Sequence, residues 1–196
     1  GTFDCTNIST ATLVTITVED AAGNSDDCAA KAVTVQDTIA PTVSCKNKTV
    51  YLSAATGAGQ ASIVATDIEN ASFDACGIDT KVAGQTLFTC ADVDTNLVTL
   101  TITDDNGNDR TCTASVIVLD TVSPDPGCLN ISVNLNASGF FAITPAMLNG
   151  GSTDNCTLAP LSVSNDTMTC AELGTYVDTL HVPDVNGNSS SCNATI

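Results

Sequence analysis

One hairpin-forming stretch occurs three times, and it constrains the fold more than any other feature. Its copies are Asp20-Ala21-Ala22-Gly23-Asn24-Ser25-Asp26-Asp27-Cys28, Asp104-Asp105-Asn106-Gly107-Asn108-Asp109-Arg110-Thr111-Cys112 and Asp184-Val185-Asn186-Gly187-Asn188-Ser189-Ser190-Ser191-Cys192. Each follows an alternating apolar run and leads into another. Asn and Gly tolerate positive φ, so such a pair between two alternating runs closes a β-hairpin. The spacing is regular. Gly23, Gly107 and Gly187 lie 84 and 80 residues apart, as do Cys28, Cys112 and Cys192. Cys5, Cys90 and Cys170 repeat at 85 and 80, Cys45 and Cys128 at 83, and Asp74-Ala75-Cys76 and Asp154-Asn155-Cys156 at 80. Independent landmarks in one order define a tandem repeat of about 80 residues.

The repeat sets the expected boundaries. Residues 1–36 read as the C-terminal part of one repeat, 37–41 as a linker and 42–119 as a complete repeat. Residues 120–126 read as a second linker, and 127–196 as a repeat lacking most of its last strand. The sequence looks like a piece of a longer array, in which no signal peptide is expected. A unit this small has a thin core and gains from covalent staples. Ten cysteines, four of them in the complete repeat, point to disulfides and an oxidising compartment. The absence of Cys-x-x-Cys and the single histidine argue against a zinc site. The net charge of −17, from 22 acidic and 5 basic residues, argues against nucleic acid and anionic membranes as partners. Apolar runs are only strand-length, so no membrane insertion is expected.

Along the chain the signals are short strands. Residues 12–19 alternate with period two, as a half-buried strand does. Ala32-Val33-Thr34-Val35 is the return strand, and Pro41 and Pro124 mark the linkers. In the complete repeat, 49–52, 60–64, 97–102 and 114–118 read as strands. Residues 78–82 and 85–88 read as a hairpin about Gly84. Residues 66–70 suggest a single helical turn, as do 144–148 with proline at the first helical position. Six or seven short strands per repeat, without a long helical period, predict an all-β fold. The expected architecture is a tandem array of immunoglobulin-like antiparallel β-sandwich repeats, disulfide-stapled.

Two pairing schemes fit the cysteines. Cys76 and Cys90 flank Gly84 symmetrically, and Cys156 and Cys170 have the same spacing of 14, which places each pair across a hairpin. Cys45 opens the first strand and Cys112 the last, so Cys45–Cys112 and Cys128–Cys192 follow, with Cys5 and Cys28 paired upstream. The rival scheme pairs Cys5–Cys28, Cys45–Cys76 and Cys90–Cys112. The first scheme is the expected one.

The residues Phe88-Thr89-Cys90-Ala91-Asp92-Val93, Val98-Thr99-Leu100-Thr101-Ile102-Thr103-Asp104, Asn106-Gly107-Asn108, Cys112-Thr113-Ala114 and Asp120-Thr121-Val122-Ser123-Pro124 resemble hyalin-repeat (HYR)-like modules. Such modules are strung along giant secreted surface proteins of gliding bacteria, including gliding adhesins. The resemblance covers nearly the whole chain. It implies an immunoglobulin-like sandwich, export to the extracellular cell surface, and a role as stalk or filament in attachment or gliding. Val182-Pro183 departs from the pattern and predicts an exposed or irregular strand end. The alternatives are a carbohydrate-binding module array, or a fibre or decoration protein of a virus or protist appendage. The first would be expected to carry stacking aromatics, yet the chain has no Trp and two Tyr.

No catalytic constellation stands out. His181 aligns with Thr17 and Thr101 and reads as an outward strand residue, so the chain is expected not to be an enzyme. The acidic loops are the best candidate site. The last hairpin turn of a sandwich points toward the preceding module, which should bring Asp37 near Asp104, Asn106 and Asn108, and Asp120 near Asp184, Asn186 and Asn188. Such oxygens suit calcium at the inter-repeat junctions, and they equally suit plain turn chemistry. Nine Asn-x-Ser/Thr triplets, at Asn7, Asn47, Asn70, Asn130, Asn136, Asn155, Asn165, Asn188 and Asn193, are candidate glycosylation sites. The resemblance adds Asp-Thr followed by an apolar residue as an O-glycosylation signal, found at Thr38, Thr121, Thr167 and Thr179. Expected partners are neighbouring repeats, other copies in a filament, and surface glycans or polysaccharide.

Overall fold

The computed structural model describes residues 2–54 and 59–196. The chain is all-β, in tandem immunoglobulin-like sandwich repeats. It divides into two compact units. One comprises residues 1–46, 65–84 and 99–114; the other comprises 47–64, 85–98 and 115–196.

In the first unit, β1 (Ala11–Val14) pairs antiparallel with β4 (Lys31–Thr34), and between them β2 (Thr17–Glu19) pairs with β3 (Ser25–Asp27) across the Gly23 turn. The single strand expected over 12–19 is therefore broken in two. Its apolar face is also exposed: Ile16 and Val18 face solvent, as does Leu13 on the opposite face, and none of residues 2–40 is buried. Alternation prepares a face for burial, but burial requires a second layer, and no described element covers this face.

The complete repeat supplies β5 (Lys48–Tyr51), β6 (Gln60–Ser62), the one-turn helix α1 (Ala65–Ile68), β7 (Ile78–Ala83), β8 (Leu87–Thr89), β9 (Asp94–Asp104) and β10 (Asp109–Leu119). The strand order β5-β10-β9-β7 forms one sheet and β6-β8 another. In the first unit β7 pairs with residues 100–104 of β9. In the second, β5 runs parallel to residues 116–119 of β10. The predicted Gly84 hairpin does not form. β7 and β8 belong to different sheets, and the chain crosses over at residues 84–86. Periodicity and a glycine signal a reversal of the chain, but they do not say which strand pairs with which.

The last repeat lies wholly in the second unit and repeats the plan. β11 (Phe140–Ala142) pairs with β13 (Thr167–Thr169), and β12 (Ser162–Val163) lies beside β14 (Val177–Pro183), which pairs with β15 (Ser189–Thr195). The turn α2 (Pro145–Leu148) carries proline at its start, as expected. Ile143, Leu148 and Met168 from one layer meet Leu180, Val182 and Ala194 from the other. Each large side chain buried this way contributes roughly 1.5–3 kcal/mol. Pro183 closes β14, opposite Ser189, and its carbonyl accepts from the Ala159 N–H at 2.9 Å. The strand end is regular rather than irregular, because proline loses only a donor.

Candidate functional site at the repeat junctions

The recurring turn is built by one carboxylate. Asp104 Oδ1 accepts from the N–H groups of Asn106 and Asn108 at 2.9 and 2.8 Å, and Oδ2 accepts from Asn108 Nδ2 at 2.7 Å. Asp184 does the same with Asn186 and Asn188, at 2.9, 2.7 and 2.7 Å. Asp20 repeats it with Ala22 and Asn24. The turn needs a left-handed residue, and Gly23, Gly107 and Gly187 supply it at φ +88°, +89° and +96°. Burial pushes the Asp104 carboxyl up, but the Asn108 amide and three backbone N–H groups outweigh it and hold the acid below the usual carboxylate range. At Asp20 the Asn24 amide leads the same downward shift.

The turn then fastens the linker. Asn108 Nδ2 donates to the Asp37 carbonyl at 3.3 Å, and Asn188 Nδ2 donates to the Asp120 carbonyl at the same distance. The expected convergence of linker and turn therefore occurs twice. Each linker carboxylate also caps its own chain: Asp37 Oδ1 accepts from Ile39 N at 2.9 Å, and Asp120 Oδ1 from Val122 N at 3.1 Å. The side chains do not converge equally. Carboxylate oxygens of Asp120, Asp154 and Asp184 lie within 4.8 Å of one another. At the other junction Asp37 is grouped with Asp74 and the Cys76 sulfur, and Asp104 is not in the group. Asn108 and Asn188 point their amide nitrogens at carboxylates, and Asn106 is exposed. Asp74 and Asp154 join these sites although the sequence marks them only as repeat landmarks. Their signal was present as Asp-x-Cys repeated at a spacing of 80, where the carboxylate accepts from the cysteine N–H at 2.8 and 2.9 Å.

The disulfides revise the sequence expectation. Cys45–Cys112 and Cys128–Cys192 form as anticipated. Cys76 is joined to Cys5 and Cys156 to Cys90, while Cys28 and Cys170 are free and exposed. Pairing Cys76 with Cys90 and Cys156 with Cys170 required a hairpin that the crossover replaces. The observed bridges instead run from one repeat to the next. Cys5 and Cys90 each open a capped three-residue 3-10 turn, and each bonds the Asp-x-Cys of the following repeat. Cys170 opens an equivalent turn, with Thr169 and Glu172 forming the same reciprocal cap at 3.2 and 2.7 Å. Gly59 is required at the second bridge. A Cβ there would lie 2.8 Å from Asn155 Nδ2, 3.1 Å from Cys90 Sγ and 3.2 Å from Cys156 Sγ.

The glycosylation candidates fall in different settings. Thr38, Thr121, Thr167, Asn47, Asn70, Asn130, Asn136 and Asn193 are exposed, and Asn7, Asn165, Asn188 and Thr179 are half-buried. Asn155 is buried and donates to Asp120 Oδ1 at 3.1 Å, so it is no acceptor for a glycan in the folded chain. His181 lies exposed on β14, 2.9 Å from Ser164 Oγ. Among the described residues, no helix is long and apolar enough to cross a membrane.

Fold and junctions together define an all-β tandem-repeat protein whose repeats are joined by disulfides and linker-capping turns. No family model matches the chain. No curated protein matches either. Among solved structures it is similar to protocadherin gamma C5 EC1-3, with 15% identity over 95% of this chain and 77% of that one, at a TM-score of 0.40. The protocadherin GammaB4 extracellular domain aligns at 12% identity over 97% of this chain and 37% of its own, TM-score 0.38. An endo-fucoidan hydrolase of glycoside hydrolase family 107 aligns at 12% identity over 80% and 34%, TM-score 0.27.

Proposed function

We propose that this chain is a structural segment of an extracellular surface adhesin, in which repeats linked end to end form a stalk or filament. The observation that carries the reading is the pair of bridges Cys5–Cys76 and Cys90–Cys156, each of which ties one repeat to the next. A chain whose joints are covalently closed resists separation of its modules under tension. Disulfides of this kind also support an oxidising, extracellular setting. The resemblance of its motifs to HYR-like modules supports the finer reading, a glycosylated stalk on the surface of gliding bacteria, with a mechanical rather than an enzymatic role. Proteolysis of the unreduced chain tests the reading. Peptides linked through Cys5–Cys76 and Cys90–Cys156 are expected. Recovery of Cys76–Cys90 instead would close each bridge inside one repeat and remove the argument.

A further inference from the structure

The second unit carries negative charge with little to balance it: nine Asp or Glu against one Lys. Residues 111–196 hold seven Asp or Glu and no Lys or Arg. Three of those carboxylates, Asp120, Asp154 and Asp184, bring oxygens within 4.8 Å of one another, and Asp120 and Asp184 are only 8% and 4% exposed. Like charges this close and this far from water repel strongly unless something positive or a proton joins them.

The hydrogen bonds around the group are incomplete. Asp120 Oδ2, Asp154 Oδ1 and Asn155 Oδ1 are buried without a partner, although Asn155 is 7% exposed and its other amide atom holds Asp120 Oδ1. An unpaired buried acceptor costs free energy, and so do unpaired buried charges. Asp184 accepts three hydrogen bonds of the roughly four a carboxylate can take, which leaves it capacity for one more contact. These orphan oxygens are an observation independent of the clustering, and they describe a set of acceptors lacking a shared donor or cation.

We propose that Asp120, Asp154 and Asp184, with Asn155, form a calcium site at the Asp120 linker. All the donors are hard oxygens, which selects Ca²⁺ or Mg²⁺ over softer metals. Calcium accepts roughly six to eight oxygens in irregular geometry, whereas magnesium demands a near-ideal octahedron. Three carboxylates from a linker, an Asp-x-Cys turn and a hairpin turn form an irregular set. The Cys156 sulfur is committed to Cys90 and supplies no ligand. An ion here would satisfy the orphan oxygens, cancel the repulsion and lock the linker to both turns. The inference deepens the stalk reading, since it concerns the same joint, but the two fail separately: the disulfide map decides one and the calcium isotherm the other.

The test is calorimetric titration of calcium chloride into the full, chelator-treated chain with its disulfides intact, repeated with magnesium chloride. One site tighter than any other is expected, together with a higher melting temperature in calcium than in chelator. Asp120→Asn and Asp154→Asn should each weaken that site at least tenfold, and Asp109→Asn, on an exposed strand start, should leave it unchanged. NMR of the unaltered chain reads the site without any variant: calcium should shift the Asn155 side-chain amide and the Val122 N–H. No calcium binding at millimolar concentration, magnesium binding as tightly as calcium, or binding without those NMR shifts would each overturn the assignment.

Discussion

The junctions at Asp37 and at Asp120 share a backbone plan and differ in the side chains set upon it. In both, an asparagine of the hairpin turn donates to the linker carbonyl at 3.3 Å, a cysteine N–H is held by Asp74 or Asp154, and a disulfide reaches back to the preceding repeat. At Asp120 three carboxylates meet and Asn155 joins them; at Asp37 the alanine Ala75 takes that place and only Asp37 and Asp74 contribute carboxylates. Asp105, the second residue of the Gly107 turn, lies against Gly77, which is held at φ +113°; Val185 takes its place in the Gly187 turn and is exposed. The joint is thus copied by backbone and capping, while its electrostatics are set locally by a few substitutions.

The largest effect that can break this comparison is loss of a bridge. Replacing Cys90 and Cys156 together by alanine should cost roughly 2–5 kcal/mol, as should replacing Cys5 and Cys76. The loops closed span 66 and 71 residues, so the entropic contributions should be nearly equal. Denaturant unfolding of the two double variants measures both, and a loss confined to one would mean that the joints are not mechanical equivalents.

Crowding at the second joint comes next. Gly59→Ala forces a methyl group against the Asn155 amide and both sulfurs, at an expected cost of about 1–3 kcal/mol in thermal unfolding. An unchanged melting temperature would show that the bridge has room for a methyl group.

Asn155→Ala should be somewhat milder, about 1–2 kcal/mol in chelator, because Asp120 Oδ1 keeps the Val122 N–H and loses only the amide. The reciprocal Ala75→Asn sharpens the contrast. If the amide alone distinguishes the junctions, the change should strengthen any calcium binding at Asp37, as titration would report.

The smallest effect concerns acid. Asp104 has a folded pKa held below its ordinary value, so the native state binds fewer protons than the unfolded chain just above that value. Its contribution is present above the unfolded pKa and is lost as pH falls through the lower folded one. Asn108→Ala removes the amide that holds the charged form, so acid unfolding should begin at higher pH. Asn24→Ala at the exposed Asp20 turn should raise the Asp20 pKa with little effect on global unfolding, since none of residues 2–40 is buried. Carboxyl NMR titration distinguishes the two.

The sequence by itself determined the repeat, the all-β class, the helical turns at α1 and α2, and the hairpins about Gly23, Gly107 and Gly187. Each of these follows from local chemistry: a period of two, a proline at a helix start, a glycine where φ must be positive. It also brought Asp120 to Asp184, because repeated spacing places a linker beside a turn. Tertiary structure decided the rest. Whether residues 78–83 pair with their neighbour in sequence or with β9 depends on the competition among distant strands for the same edge, which no local pattern encodes. In the folded chain Cys76 bonds Cys5 and Cys156 bonds Cys90, and Asp154 and Asn155 join the Asp120 cluster. Burial of Asn155 was equally invisible in its Asn-Cys-Thr triplet, because a glycosylation motif and a buried hydrogen-bond donor are spelled with the same residue and separated only by what packs over it.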